Sequence, residues 1–273
     1  MSKKNGQGQS LGEALLSVFA SFAIVIAFIV SYIVFKYVMG SGANFEGGNP
    51  EGHPLPGNYL AMIYKGGMIV PLLMTCVLTV LIFTIERFVM LRKARGKGRI
   101  NVFVKSIQAS LSANKIDEAI VACDKQKGSV ANVMKAGLTK YKELKADTVL
   151  EKDQKVLALQ KDMEESTALE LPMLSKNLVI LSTLASISVL IGLIGTVLGM
   201  IRAFAALATA GSPDALALAT GISEALINTA FGITGSTIAI IFYNYFSNKI
   251  DSLTFKIDEA GFSLVQTFAS TTK

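Results

Sequence analysis

The sequence predicts an all-α membrane protein with four transmembrane helices and long cytoplasmic helical extensions. Three observations lead there. The 273 residues are 51% hydrophobic and only 17% charged, with a mean hydropathy of +0.50, too apolar for an ordinary soluble domain. Four stretches free of charged side chains approach the about 20 residues that cross a bilayer: Ala14–Phe35, Gly66–Ile85, Asn177–Ile201 and Ala225–Asn248. The basic residues, finally, collect at one side of these stretches.

Residues 1–13 read as a polar tail and 14–39 as the first span. Lys3, Lys4 and the SGA at 41–43 offer a signal-peptide reading, but the apolar run exceeds the roughly 7–15 residues of such a segment, so a retained span is expected. An outer loop follows at 40–62, then a second span at 63–91. That span ends in ERFVMLRKARGKGR, which packs Arg87, Arg92, Lys93, Arg95, Lys97 and Arg99 together and places this end in the cytoplasm. Between the first and second spans lie only Lys36 and Lys65, and between the third and fourth only Arg202. Both termini are therefore expected inside, and the net charge of +6 is explained by topology rather than by nucleic-acid binding.

The block 92–176 reads as cytoplasmic and helical. NVFVKSIQASL shows a stripe at Val102, Phe103, Ile107 and Leu111, Asp117 opens a second helix, and Gly128-Ser129 punctuates before a third. After Thr148 a charged helix is expected to enter the third span, 177–206, without a break, bent only by Pro172. A short outer loop at 207–219 leads to the fourth span, 220–248. The tail 249–273 continues it as a cytoplasmic helix whose Ile250, Leu253, Ile257 and Leu264 need a partner surface.

Within the spans the polar residues are ordered. In the third, Ser188, Gly192, Gly195 and Gly199 recur at steps of four, three and four, stacking small residues on one face. Lipid offers apolar side chains no reason to associate, so such a face serves close packing of helices or subunits, or borders a pore. In the fourth, Gly221, Glu224, Asn228, Thr229, Gly232, Gly235 and Ser236 fall within an arc of about 140°. Counted from the loop between the two spans, Thr196 and Thr229 both lie about 15 Å deep, near the mid-plane. They either share a polar lining or are each satisfied by their own i−4 carbonyl. Arg202 and Glu224 match in depth near the outer end, where Glu224 either gives protons access or pairs with Arg202 or a neighbouring subunit. No second acid occurs in these spans before Glu86 at the inner rim, so proton movement would need a carboxylate from a partner.

ERFVMLRKA, GLIGTVLGMIRAF, GISEALINTAFGI and IIFYNYFSNKID together resemble the MotA/TolQ/ExbB proton-channel family, its ExbB branch most closely, over about residues 60–265. The resemblance implies a three-span core, to which the first span here is an addition. It also implies a multi-pass homopentamer in the inner membrane of a Gram-negative bacterium. A single-span ExbD/TolR-like partner would bring an intramembrane aspartate, and a TonB-like protein would carry energy from the proton motive force to outer-membrane transporters. The family's pore threonines fall on Thr196 and Thr229 and its outer glutamate on Glu224. Where many relatives have a proline, this chain has GITGSTIAII, with Thr237 near that place.

Other classes fit less well. A substrate transporter would show an internal repeat, and the two halves share none. A passive scaffold, or a TolQ-like or gliding-type motor subunit, stays open. No nucleophile–base pair, phosphate loop or metal spacing points to an enzyme or a cofactor. Cys76 and Cys123 form no disulfide framework, and His53 sits alone in a Gly/Pro-rich loop.

Overall fold

The computed structural model describes residues 21–50, 52–209 and 215–271; the tail 1–13, the first residues of the first span and residues 210–214 of the second outer loop lie outside them. Among the described residues four helices are long and apolar enough to cross a membrane, and the only bridge is an isolated antiparallel one between Phe45 and Pro54. The chain divides into two compact units, Met1–Ile85 with Val179–Tyr243 and Glu86–Leu178 with Asn244–Lys273.

The first unit holds α1 (Ser21–Met39), α2 (Tyr59–Tyr64), the apolar part of α3 (Ile69–Arg95), α8 (Leu178–Thr209) and the first half of α9 (Ala215–Thr271). On α1, Ala23, Ala27, Ser31, Phe35 and Met39 are buried while Phe22, Val25, Ile26 and Ile29 are exposed. Steps of four keep the buried residues on one face. A π-helical turn at Val34–Met39 ends the helix, and Phe35 stacks on Tyr64 at 4.7 Å, which fixes α1 to the approach to α3. Asn58 caps α2 by accepting from Leu60 N and Ala61 N. The second span was expected from residue 63, but α2 and the turn at Gly66–Gly67 come first, and α3 starts at Ile69.

The second unit is a helical bundle of α4 (Ile100–Ser112), α5 (Ile116–Gln126), α6 (Ser129–Ala146) and α7 (Lys152–Ser175), with the last part of α9. The α9 stripe Ile250, Leu253, Ile257 and Leu264 is buried. Gln108 donates to Ser263 at 2.5 Å, and Tyr141 meets Thr271 at 2.8 Å and stacks edge-on against Phe268 at 4.7 Å. On α4 the buried face is Ile100, Phe103, Ile107 and Leu111; Val102, placed in that stripe by sequence, is 62% exposed. Its replacement by Ile100 gives even steps of three and four. Arg87 is 1% exposed, forked onto Glu86 by two bonds of 2.6 Å and donating to Leu174 O at 3.1 Å. A buried cation is tolerable only when satisfied this way.

The expected continuous passage from the charged helix into the third span is corrected. Lys176 is extended (ψ 140°) and Asn177 takes φ 63°, so α7 stops at Ser175 and α8 begins anew at Leu178. Asparagine tolerates the left-handed region better than most side chains. Pro172, by contrast, is accommodated inside α7.

Two outcomes are expected. A Cβ at Gly137 would collide with Met163 Sδ and lie 2.8 Å from Leu264 Cδ2, so Gly137→Val should cost about 1–3 kcal/mol, read as a lower melting temperature by circular dichroism. Burial pushes the Cys123 thiol up to about 12, with Asp124 adding to the rise. It should stay protonated at pH 8 and resist maleimide until the bundle is unfolded.

Candidate functional site

The site is built where α8 and α9 cross. A Cβ on Gly192 would stand 3.0 Å from Asn228 O and 3.1 Å from Gly232 Cα, and one on Gly232 would stand 2.7 Å from Ser188 O. Gly195 leaves room for the Asn228 side chain, 2.6 Å from where its Cβ would be, and Gly199 faces Ala225 at 3.1 Å. Gly235 faces Val77 and Ser188, and Ser236 donates to Ala185 O at 2.5 Å. The small-residue stripes of the two helices thus meet each other within one chain. Of the alternatives expected for these faces, packing of helices or subunits or the border of a pore, the contacts within this chain are packing of one helix on another.

This spacing sets the polar side chains. Thr196 and Thr229 are half-buried and their hydroxyls are in hydrogen-bond contact. Thr196 Oγ1 also reaches Gly192 O at 3.1 Å and Ala225 O at 3.4 Å, and Thr229 Oγ1 reaches Ala225 O at 3.4 Å. The alternatives of a shared lining and i−4 satisfaction are therefore not exclusive: each hydroxyl has its own-turn carbonyl and its neighbour. Each carries one proton, so while one donates to the other, the second must donate to a carbonyl. Reversing that order exchanges equivalent bonds.

Nearer the loop between α8 and α9, Arg202 and Glu224 form an ion pair, with the glutamate side chain 11% exposed and the arginine 54%. Gly67 lies against it. A Cβ there would meet Glu224 Oε1 at 2.7 Å and Arg202 Nη1 at 3.3 Å, and Gly67 has φ 73°, a conformation that costs a glycine little. Beside it Asn228, 1% exposed, donates to Gly66 O at 3.0 Å. Gly66 and Gly67 escaped the sequence reading, which absorbed them into an apolar run. The adjacent glycines before Met68 were the available signal of a turn.

Among the described residues no three His, Cys, Asp or Glu side chains form a metal cluster. His53 lies in a cleft of ≈ 320 Å³ with Lys65, Thr220 and Ser223.

Residues 125–259 match the MotA/TolQ/ExbB proton channel family, a stretch holding α8 and most of α9. The chain is 27% identical over 158 residues to the Tol-Pal system protein TolQ of Pseudomonas aeruginosa, covering 58% of this chain and 68% of that one. It is 35% identical over 86 residues to the putative biopolymer transport protein ExbB-like 3 of Synechocystis, 31% of this chain and 41% of that one. With the biopolymer transport protein ExbB of Salmonella typhimurium it shares 38% over 72 residues, 26% of this chain and 30% of that one. The last two matches span less than half of the relatives' lengths.

The ion pair makes a measurable claim. A double-mutant cycle with Arg202→Gln and Glu224→Gln, read by thermal unfolding in detergent, should give a coupling of about 0.5–3 kcal/mol; additive losses would show the pair to contribute nothing.

Proposed function

We propose that this chain, a member of the MotA/TolQ/ExbB proton channel family, is the channel and stator subunit of an inner-membrane motor driven by the proton motive force. The observation that carries the reading is the contact of the Thr196 and Thr229 hydroxyls on the half-buried side of the α8–α9 crossing. In the proposed assembly, five copies form a mostly apolar pore with these hydroxyls as its polar ring, N- and C-termini facing the cytoplasm. The titratable group comes from a single-span ExbD/TolR-like partner carrying an intramembrane aspartate.

The chemistry is a matter of cost. An ionised carboxylate in an apolar wall is penalised by desolvation, and protonation removes the penalty. Near the threonines the ionised form gains two donors whose protons redistribute without loss of bonds. The partner helix is then held while ionised and released to turn or shift when neutral. A TonB-like protein would pass this motion to transporters in the outer membrane.

A TolQ-type role in the envelope is the second reading, favoured by the longer match to the Pseudomonas aeruginosa relative. Complementation separates the two: rescue of siderophore uptake marks the TonB-linked branch, and rescue of detergent resistance the Tol branch. In whichever strain is rescued, Thr196→Val and Thr229→Val should each abolish function while the complex keeps its size on gel filtration. Full function in both variants would overturn the channel reading.

A further inference from the structure

In the second unit, the last turns of α3, the start of α4 and the lower part of α9 enclose a cleft of ≈ 330 Å³. Its wall is aromatic. Phe88 packs on Phe246 at 5.0 Å and on Tyr245 at 5.6 Å. Its rim is cationic, formed by Arg92 and Arg95 from α3 and Lys249 and Lys256 from α9. No Asp or Glu lines it. Among the described residues none of these four cations is in an ion pair; Lys249 only rests over the Tyr245 ring at 5.6 Å.

The positive-inside rule accounts for basic residues in this segment, but not for their convergence. Arg92 and Arg95 are three apart, so they share a face of α3. Lys249 and Lys256, two turns apart, share a face of α9, and both faces border the same cleft. Like charges brought together without a counter-ion repel each other, so the arrangement favours an anion between them. The aromatic wall discriminates among anions. A hydrated inorganic phosphate gains nothing from Phe88 and Phe246, whereas a phospholipid sets its phosphate among the cations and its glycerol and first methylenes against the rings. The place suits this, since Phe88 and Tyr245 stand where the apolar stretches of α3 and α9 give way to basic sequence, the depth of lipid headgroups.

We propose that this cleft binds the headgroup of an anionic phospholipid of the phosphatidylglycerol type, drawn from the leaflet at the basic end of α3. The site does not depend on the channel reading, because it needs only that α3 and α9 cross the membrane. Bound lipid sets one negative charge among four cations, eases their mutual repulsion and ties the two helix ends through a shared counter-ion.

The test uses the purified full chain in detergent, mixed with equal amounts of phosphatidylglycerol and phosphatidylcholine, with retained lipids counted by native mass spectrometry. The wild type should retain phosphatidylglycerol preferentially, and each cleft cation changed to Gln should weaken that preference about fivefold. Lys249→Gln with Lys256→Gln, which leaves α3 intact, should already show the loss; Arg92→Lys with Arg95→Lys should keep the preference. Neutralising Lys97, Arg99 and Lys105, equally basic but outside the cleft, should leave it unchanged. Equal retention of the two lipids by the wild type would overturn the proposal, as would equal losses from the two sets of neutralisations. Displacement of the lipid by millimolar inorganic phosphate would also overturn it, assigning the site to free phosphate.

Discussion

Between Gly192 and Gly232 the backbones of α8 and α9 approach until a Cβ on either would lie 3.1 Å or 2.9 Å from the other's Cα. In water, burying larger side chains would hold two helices together. In lipid, association rests on dispersion at short range, which needs residues that keep out of the way. The contacts then climb in step: Gly195 takes Asn228, Gly199 takes Ala225, and Gly221 takes Ala203. From Gly192 to Ala203 along α8 and from Gly232 back to Gly221 along α9 the contacts advance by the same eleven residues, in steps of three and four, the register of an antiparallel pair. The meeting of Thr196 with Thr229 and of Arg202 with Glu224 follows from that register.

The third member of this arrangement is the turn before α3. Burying the Asn228 amide is costly without partners; its Nδ2 donates to the carbonyl of Gly66, while its Oδ1 has no partner among the described residues. Gly67 leaves the space in which Arg202 and Glu224 meet, because any side chain there would occupy it. Burial of the carboxylate is thus compensated by a half-exposed guanidinium. Two adjacent glycines secure one helix end and one ion pair together, with no side chain of their own.

Much of this was legible in the sequence, because the helical period converts spacing into geometry. Steps of three and four announced the glycine faces, and counting from the loop placed the two threonines level. What stayed hidden depends on tertiary partners or on single backbone angles. That the stripe of α8 meets α9 of the same chain, and not another subunit, is a fact about pairing that spacing does not contain. Asn177 breaks the path from α7 to α8 through one φ of 63°, which neighbouring composition does not reveal. Val102 and Ile100 differ by half a turn in facing, and only contact with the bundle chose between them. The burial of Ala23, Ala27 and Ser31 on α1 was likewise invisible in a run where nearly every residue is apolar.

The two polar pairs of the crossing differ in kind, and the difference bears on how the proposed channel divides its labour. Arg202 and Glu224 carry opposite full charges held side by side, so any rearrangement gives up the Coulomb attraction that balances desolvation. Such a pair suits a fixed point near the loop that joins the two helices. Thr196 and Thr229 carry no charge, and their two protons have several acceptors: Gly192 O, Ala225 O and each other. Moving a proton's direction from one acceptor to the next changes no charge and loses no bond, so the pair adapts to whatever stands opposite it. A wall of this kind neither binds a proton nor blocks one. It accommodates a carboxylate that arrives from outside in either state, which on the proposed reading is why the chain has no acid of its own at that depth.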